Sequence, residues 1–236
     1  MNNFKTTVKT SLFSSLIFTF ATNTSADFAN RKYIGATLGE TSYPQFCSSA
    51  NPRIKSQIPQ GSTDGRFHCN SSGSTIKFYG GLRWNRYLAL EISYLKPSAA
   101  QSSFYTNNEN GEYAKAAYQV ETHLLTAFLL GFYPVNSNIN MFARVGAGAW
   151  RGKLSEQQSA QFYIPQQLSN GQFTAQLQTF DKDKSQNHKG PHWGVGVGMN
   201  YIYRNHWIWR LEWEKLEPTG VDFNAETLSL GLGRLF

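Results

Sequence analysis

Charged residues occupy alternate positions of one short segment, 207–214. Arg210, Glu212 and Glu214 recur every second residue. A period of two is the repeat of a β-strand, so the segment is predicted to be a strand with unlike faces. Charges that leave water persist only when they are paired and hydrogen-bonded, which makes ion pairing the chemistry this face can do. The opposite face carries indoles at Trp207, Trp209 and Trp213.

Nucleophilic catalysis would need a serine, a histidine base and a carboxylate that orients the histidine. His123 shares a strand face with Glu121. A serine on the same strand face as a histidine would lie two positions from it, yet none of the five histidines is followed by a serine at that spacing. The sequence therefore predicts no catalytic residues and no enzyme. Gly194, Gly196 and Gly198 do not form a phosphate loop, because no helical segment follows them. We also predict no cofactor.

The N-terminus is typical of a secretory signal, predicted over residues 1–26. Lys5 and Lys9 precede a short apolar run, Leu12 to Phe20, and small residues lie near the predicted cleavage site. The remainder, 27–236, is predicted to be one domain. Removal of the two lysines leaves 20 basic and 15 acidic residues, a net charge of +5 instead of +7. The charge is spread along the chain, which disfavours nucleic acid and suits anionic lipid head groups.

Cys47 and Cys69 lie in one segment rich in Ser, Asn, Pro and Gly. An exported chain meets an oxidising compartment, so a disulfide between them is predicted. Closing a loop of this size contributes about 3 kcal/mol. Since His68 is the one nearby additional ligand candidate, no metal site is predicted.

Eight strands are predicted, with three short and four longer connections, and no helix. Such a rhythm is typical of an antiparallel up-and-down meander. In the connection 155–191, Asn170-Gly171 between alternating runs predicts that two strands continue outward as a hairpin. A flexible polar loop is the alternative there. The predicted strands are 31–42, 74–84, 87–96, 113–133, 139–154, 192–204, 206–217 and 223–236.

The strands divide into a bulky apolar face and a slim face of glycines with a few charged chains. An eight-stranded barrel is only wide enough for side chains to fill it, so the bulky face is predicted to point outward into hydrocarbon. A soluble lipocalin-like carrier is the alternative, but 16% charged residues leave few to coat its surface. On the fourth strand this prediction places Glu121 and His123 inside. It places five large apolar residues of the same strand on the outer face: Val120, Leu124, Phe128, Leu130 and Phe132.

Four segment groups carry a family resemblance. They are Phe78-Tyr79-Gly80-Gly81 with Leu90-Glu91-Ile92-Ser93-Tyr94, Leu125-Thr126-Ala127 with Gly131-Phe132-Tyr133-Pro134, Ala143-Arg144-Val145-Gly146 with Ala149-Trp150-Arg151, and Arg210-Leu211-Glu212-Trp213. In this order the chain resembles the OmpA-type transmembrane β-barrels of Gram-negative outer membranes, without their peptidoglycan-binding domain. The resemblance implies an all-β fold, an eight-stranded antiparallel up-and-down barrel in the outer membrane. Phe236 matches the terminal aromatic residue that the family's assembly machinery reads.

The resemblance also implies an internal ionic cluster, matched by Glu91, Arg144 and Arg210. Phe128 or Leu129 stands where the family has a lysine, and Asn200 where it has a glutamate. The inward charges balance, so we predict a lumen plugged by an ion-pair network with a structural or surface-interaction role. A small gated pore and a lipid A-modifying enzyme are the alternatives. The predicted network comprises Lys77, Arg83, Glu91, Glu121, His123, Arg144, Arg210, Glu212 and Glu214.

The predicted partners are outer-membrane lipid and lipopolysaccharide, the assembly machinery, and host or surface ligands reached through loops 43–73 and 155–191. Amphipathic aromatic rings favour membrane interfaces, which predicts an outer girdle of Trp84, Trp207, Trp209, Trp213 and Phe236. The loop bases that could meet lipopolysaccharide phosphates or host surfaces are Arg53, Lys55, Arg66, Lys182, Lys184 and Lys189.

Overall fold

A computed structural model of the chain describes residues 31–56, 65–107, 112–167, 173–220 and 224–236. The predicted signal peptide lies outside the described residues. The elements in chain order are β1 (Arg31–Ser42), α1 (Phe46–Ser56), β2 (Arg66–Asn70), β3 (Ser72–Arg83), β4 (Leu88–Pro97), β5 (Ala100–Asn107), β6 (Tyr113–Pro134), β7 (Ile139–Gln167), β8 (Phe173–Tyr203), β9 (Trp207–Pro218) and β10 (Ala225–Leu235).

Eight of the strands close into a ring in the order β1-β3-β4-β6-β7-β8-β9-β10, because β6 pairs with β7 and β10 pairs with β1. Every pairing in the ring is antiparallel. A row of paired residues that leaves β6 at Leu124 and passes once around the ring returns to β6 at Pro134, ten residues along. The strands are therefore strongly tilted. The predicted eight-stranded up-and-down barrel is confirmed.

The barrel has two unlike ends. β1 begins and β10 ends at the proximal end, where the short turns after β3, β6 and β8 also lie. The turn after β8 is tight, and Arg204 and Asn205 adopt positive φ angles of 49° and 59° there. The long connections all lie at the distal end.

The distal connections contain structure that the sequence pattern did not predict. The sequence predicted no helix, and this prediction is wrong, because α1 forms in the segment between β1 and β3. β5 pairs with the distal half of β6, and β2 pairs with β5. Within the described residues no helix has the length and apolar character needed to cross a membrane.

The hairpin predicted for 155–191 is confirmed. β7 and β8 stay paired from Ile139 with Tyr201 as far as Gln167 with Phe173, and the turn itself lies outside the described residues. We call the combination of β2, β5 and the distal parts of β6, β7 and β8 the distal sheet. It extends the wall of the barrel on one side only.

Burial alternates along the parts of the ring strands that form the barrel. On β9, Arg210, Glu212 and Glu214 are buried, whereas Trp209 and Trp213 are exposed. The slim face therefore lines the interior and the bulky face lies outside, as predicted for seven of the eight strands.

On β6 the predicted faces are reversed. Glu121 is exposed and His123 points outward, where its Nδ1 lies 2.7 Å from the hydroxyl of the exposed Tyr94. Thr122 and Thr126 face the interior. Both faces of β6 are apolar in its central part, so the predicted orientation of the strand depended on the polar Glu121 and His123. These two residues lie above the apolar band, where outward-facing residues are polar again. The interior residues of β6 include Val120, Leu124, Phe128, Leu130 and Phe132.

Candidate functional site

Six charged side chains from four strands meet in the middle of the barrel. We call Lys77, Glu91, Arg144, Arg210, Glu212 and Glu214 the lumen cluster. β3, β4 and β7 each contribute one member and β9 contributes three, because its inward positions recur every second residue. The three cations and three carboxylates balance, and no member exposes more than 4% of its surface.

Arg144 is the hub of the lumen cluster. Its Nη1 lies 3.2 Å from Glu91 Oε1 and 3.2 Å from Glu212 Oε2. Its Nη2 donates a hydrogen bond to Glu214. One guanidinium thus contacts three carboxylates, which come from β4 and β9.

Arg210 and Lys77 complete the pairing. Arg210 Nη1 donates to Glu91 Oε2 at 2.7 Å, and its Nε donates to Asn200 Oδ1 at 3.0 Å. Lys77 Nζ donates to Glu212 and, at 3.1 Å, to Glu214 Oε1. Each carboxylate therefore contacts at least two cations, the arrangement that buried charges require.

Neutral groups fill the space around the lumen cluster. The Tyr33 hydroxyl donates to Glu91 Oε2 at 2.9 Å, and the Arg210 guanidinium lies 4.0 Å from the centre of the Tyr79 ring. A Cβ added at Gly35 would overlap the ring of Tyr79, and one added at Gly81 would lie 2.5 Å from the ring of Tyr33. The glycines of the slim face make room for these two rings. Arg144 in turn lies 4.4 Å from the centre of the Phe128 ring.

Two apolar layers enclose the lumen cluster along the barrel axis. Towards the proximal end the interior is filled by Leu130, Phe132, Phe142, Ile202, Ile208 and Leu235. Towards the distal end it is filled by Leu95, Leu124, Trp150 and Leu216. The prediction that only slim residues and charges occupy the lumen is therefore wrong in part, because the barrel also encloses large apolar side chains above and below the charges.

The segment after β1 covers the distal mouth. Tyr43, Phe46 and Ala50 are buried, and Phe46 packs on Tyr118 with ring centres 5.9 Å apart. The Tyr43 hydroxyl lies 3.0 Å from Thr122 Oγ1, and burial raises the pKa of Tyr43 to about 12. The predicted disulfide is confirmed.

The Cys47–Cys69 bond joins α1 to β2. Ser102 of β5 also donates a hydrogen bond to Asn51 of α1 at 2.9 Å. Contacts from β2 and β5 thus hold α1 against the inner side of the distal sheet.

Three residues of the predicted network lie outside the lumen cluster. Arg83 is buried near the proximal end, where it donates to the Arg86 carbonyl at 3.0 Å and lies 4.1 Å from the centre of the Phe132 ring. Glu121 and His123 are wrong predictions, since both are on the outer face of β6. Glu121 accepts a hydrogen bond from Gln119 at 3.1 Å.

The residues of the predicted aromatic girdle all lie on the outer face. Exposure is similar at Trp84, Trp207, Trp209, Trp213 and Phe236. Trp84, Trp207 and Phe236 are at the proximal ends of their strands, whereas Trp213 is near the distal edge of the apolar band. Arg234 lies between the rings of Trp207 and Phe236, 6.0 and 5.4 Å from their centres.

The sequence analysis did not predict that Tyr33 and Tyr79 line the lumen cluster, or that Asn200 accepts a hydrogen bond from Arg210. Tyr33 shares a face with Gly35 on β1, and Tyr79 shares one with Lys77 on β3, so alternation alone could have placed both rings inside. Nothing local to Asn200 indicates that its amide would accept from Arg210, because the partner is set by the register of β8 against β9.

One histidine and threonine pair lies inside the lumen. His192 Nε2 is 2.7 Å from Thr126 Oγ1, but His192 Nδ1 has no hydrogen-bond partner, so no carboxylate orients the ring. His192 is also only 2% exposed, which closes it to a lipid substrate. In the part of the chain that the structure describes, no group of three or more His, Cys, Asp or Glu side chains could hold a metal ion.

Comparison with known proteins gives one sequence family. The profile described as "Outer membrane protein beta-barrel domain" matches residues 11–236, nearly the whole chain. No curated protein sequence matches the chain.

Several solved structures share the barrel at low identity. Ail of Yersinia pestis is 12% identical over 88% of this chain and 99% of its own, with a TM-score of 0.45. The N-terminal barrel of Pseudomonas aeruginosa OprF is 11% identical over 88% and 98%, with a TM-score of 0.43. Neisserial surface protein A is 11% identical over 87% and 97%, with a TM-score of 0.45.

Proposed function

The chain belongs to the family of outer-membrane β-barrel proteins of Gram-negative bacteria, and from that premise we propose that it is a closed, non-catalytic barrel with a structural and surface-interaction role. The proximal end faces the periplasm and the distal end faces the cell exterior, since short turns are periplasmic in this class of barrel. The barrel anchors the distal sheet in the membrane. The distal sheet then meets partners at the cell surface.

One observation supports the closed lumen: a charge-balanced lumen cluster, in which every member contacts an opposite charge, lies between two apolar layers. An ion that crossed this lumen would have to displace paired charges and then pass side chains that offer it no ligands. Removing one partner of a buried pair costs about 3–5 kcal/mol, so the cluster resists opening. The apolar layers would hold the passage dry even if one pair rearranged.

A planar-bilayer recording tests the closed lumen. Pure refolded protein is expected to give no steady conductance, while a porin reconstituted in parallel shows that the bilayers report open pores. Steady unitary conductance from the barrel would overturn the proposal. Fusion of protein-containing vesicles is confirmed by an antibody against the distal sheet, so that silence is not a failure to insert.

A small gated pore is the competing function, and one contact favours it. Glu212 Oε2 lies 3.2 Å from Arg144 Nη1 and 3.8 Å from Arg210 Nη1, so this carboxylate has two alternative arginine partners. Exchange between them could loosen the lumen cluster. The same recording distinguishes the two functions, because a gated pore gives intermittent openings of one repeated size.

The surface role rests on the distal sheet. β7 and β8 continue well past the apolar band, and exposed bases follow this extension, among them Lys182, Lys184 and Lys189. Arg66 on β2 is exposed as well. These bases suit lipopolysaccharide phosphates or acidic host surfaces. The side chains of Arg53 and Lys55 lie outside the described residues, and their predicted part in such contacts stays a prediction.

Shortening the distal hairpin tests the surface role. Ser155 and Ser185 are paired, so replacing 156–184 by an Asn-Gly turn keeps the register of β7 and β8. We expect this variant to fold and insert but to lose attachment of cells to lipopolysaccharide-coated or host-cell surfaces. Cells with the variant that attach as well as cells with the full chain would contradict the role.

Two further predictions belong to this proposal. Incubation with lipid A followed by mass spectrometry is expected to leave the acyl pattern unchanged, and a changed pattern would mean an enzyme.

Deletion of Phe236 is expected to reduce assembly into the outer membrane without reducing refolding in detergent, because the assembly machinery reads the terminal aromatic residue. Equal loss in both assays would mean that Phe236 serves stability instead.

A further inference from the structure

Outward-facing charges at the distal edge of the apolar band are separated by sign around the barrel. The first two outward positions above the band on β4, β6, β7 and β8 include four bases and, among the described residues, a single acid, Glu121. We call Lys96, His123, Arg151, Lys153 and Lys189 the basic rim. The corresponding positions on the opposite wall, β9, β10 and β1, include Lys215, Glu217, Glu226 and Glu40.

The basic rim is continuous across four strands. Arg151 is paired with His123 on one side and with Lys189 on the other. Lys96 and His123 follow on from the paired Leu95 and Leu124. Neighbouring strands lie about 4.8 Å apart, so these four side chains form one row of roughly 15 Å.

Four bases of the rim make no ion pair with a carboxylate of the described residues, although Glu121 is the cross-strand neighbour of Lys153. Among the described residues no Asp or Glu oxygen lies within 4.0 Å of the cationic nitrogens of Lys96, Arg151, Lys153 or Lys189, whereas Lys215 on the opposite wall lies 2.8 Å from Glu217. Like charges on directly opposed positions of neighbouring strands repel each other. A row of unpaired bases is therefore stabilised when an anion from outside the chain binds to it.

The surface below the basic rim is smooth and apolar. Ala127 is paired with Ala147, and Ala149 is paired with Leu125, and all four side chains are exposed on the outer face. Ala127, Ala147 and Ala149 thus form a strip of small apolar side chains on two neighbouring strands, on the hydrocarbon side of the basic rim. The binding partner must therefore be amphipathic, with anionic groups above and acyl chains below.

We propose that the basic rim binds the phosphate groups of lipid A, with acyl chains of the same molecule against Ala127, Ala147 and Ala149. Lipid A fits because it is the phosphorylated lipid of the outer leaflet, the leaflet in which the rim lies. The proposal deepens the surface role given above by naming its lipid partner. It rests on the outer-membrane location and not on the closed lumen, so a conducting barrel would leave it standing.

Native mass spectrometry of the folded, full-length chain in detergent tests the proposal. Three probes are titrated: diphosphorylated lipid A, monophosphorylated lipid A with the same acyl chains, and zwitterionic phosphatidylcholine. The double variant Arg151→Gln/Lys189→Gln removes two bases of the row. The matched control Lys32→Gln/Arg204→Gln removes two exposed bases at the proximal end of the barrel, far from the rim.

We expect the rim variant to bind diphosphorylated lipid A about 25-fold more weakly, since each base near an anionic lipid surface contributes roughly a fivefold factor. The control is expected to change binding less than about threefold, because screening weakens charges farther away. Monophosphorylated lipid A should bind more weakly than the diphosphorylated form and phosphatidylcholine more weakly still. A heat-modifiable gel shift confirms that both variants are folded.

Three outcomes would overturn the proposal. Unchanged binding by the rim variant would mean that the row does not hold the phosphates. Equal losses in the rim and control variants would mean a general charge effect. Displacement of lipid A by inorganic phosphate at similar concentrations would mean a site for free anions instead of a lipid.

Discussion

Replacement of Arg144 by methionine is the sharpest test of the lumen cluster. The side chain contacts Glu91, Glu212 and Glu214, and each of these carboxylates is buried. Arg144→Met would leave three enclosed carboxylates with two cations. Breaking a buried pair by removing one partner costs about 3–5 kcal/mol, and we expect a loss of that size in the free energy of unfolding.

A compensating change separates charge imbalance from lost packing. Arg144→Met/Glu214→Gln leaves two cations and two carboxylates in the lumen cluster. We expect this double variant to recover at least half of the loss, with about 1–2 kcal/mol remaining for the missing hydrogen bonds. Lys115→Met removes an exposed base of β6 and serves as the matched control, with an expected change below about 1 kcal/mol.

The assay is urea unfolding of protein refolded into phosphatidylcholine vesicles. Tryptophan fluorescence reports the transition directly, because Trp207, Trp209 and Trp213 lie on the lipid-facing wall. The reasoning is refuted if Arg144→Met costs no more than Lys115→Met. It is also refuted if the double variant is less stable than Arg144→Met alone, since the charge balance would then play no part.

Three further predictions concern the wall, the phase of β6 and the distal mouth. Gly81→Ala is expected to lower the free energy of unfolding by about 1–3 kcal/mol, because the added methyl group would clash with an interior tyrosine ring. Gly80→Ala should change it little, since its Cβ would meet its nearest neighbour at 3.5 Å. Equal effects of the two substitutions would contradict the interior placement of the tyrosine ring. His123→Cys is expected to react with a thiol reagent in folded protein and Leu124→Cys is not; the reverse result would restore the face originally predicted for β6. Cys47→Ser is expected to speed proteolysis in the first distal connection, with about 3 kcal/mol lost locally and the barrel itself intact; an unchanged cleavage rate would mean that packing alone holds α1.

The sequence was sufficient for the fold where the two faces differ in kind. On β9 and β8 indoles and tyrosines alternate with charges and glycines, so only one orientation fits a narrow barrel. On β6 the pairs Leu124-Leu125 and Phe128-Leu129 give no contrast. The polar residues on which its predicted orientation depended, Glu121 and His123, lie above the apolar band, where outward-facing residues are polar too.

The distal structures could not be predicted because their stability is not local. α1 contains Pro52 and has no clear apolar period, and it exists because a disulfide and contacts with β5 and β6 hold it. β5 lies in a connection that composition marks as a loop. Its pairing depends on the unusual length of β6, whose distal half has no partner from β4.

The members of the lumen cluster were predictable as a set, but their pairing was not. Alternation on β3, β4, β7 and β9 places all six charges inside. Which carboxylate meets which cation depends on the stagger of the strands around the ring, and this stagger is a property of barrel closure. Arg83 shows the same limit, because it shares the face of Lys77 yet lies too far along β3 to reach the carboxylates.

The closed interior is tested most directly by water-edited solid-state NMR of the protein in lipid bilayers. This measurement reports the transfer of magnetisation from mobile water to individual side chains. We predict rapid transfer to the exposed Lys182 and Lys184 of the distal sheet, and none above background to Lys77 Nζ or the guanidinium groups of Arg144 and Arg210. Transfer to the lumen cluster as fast as to the distal sheet would mean a continuous water column and would contradict the account.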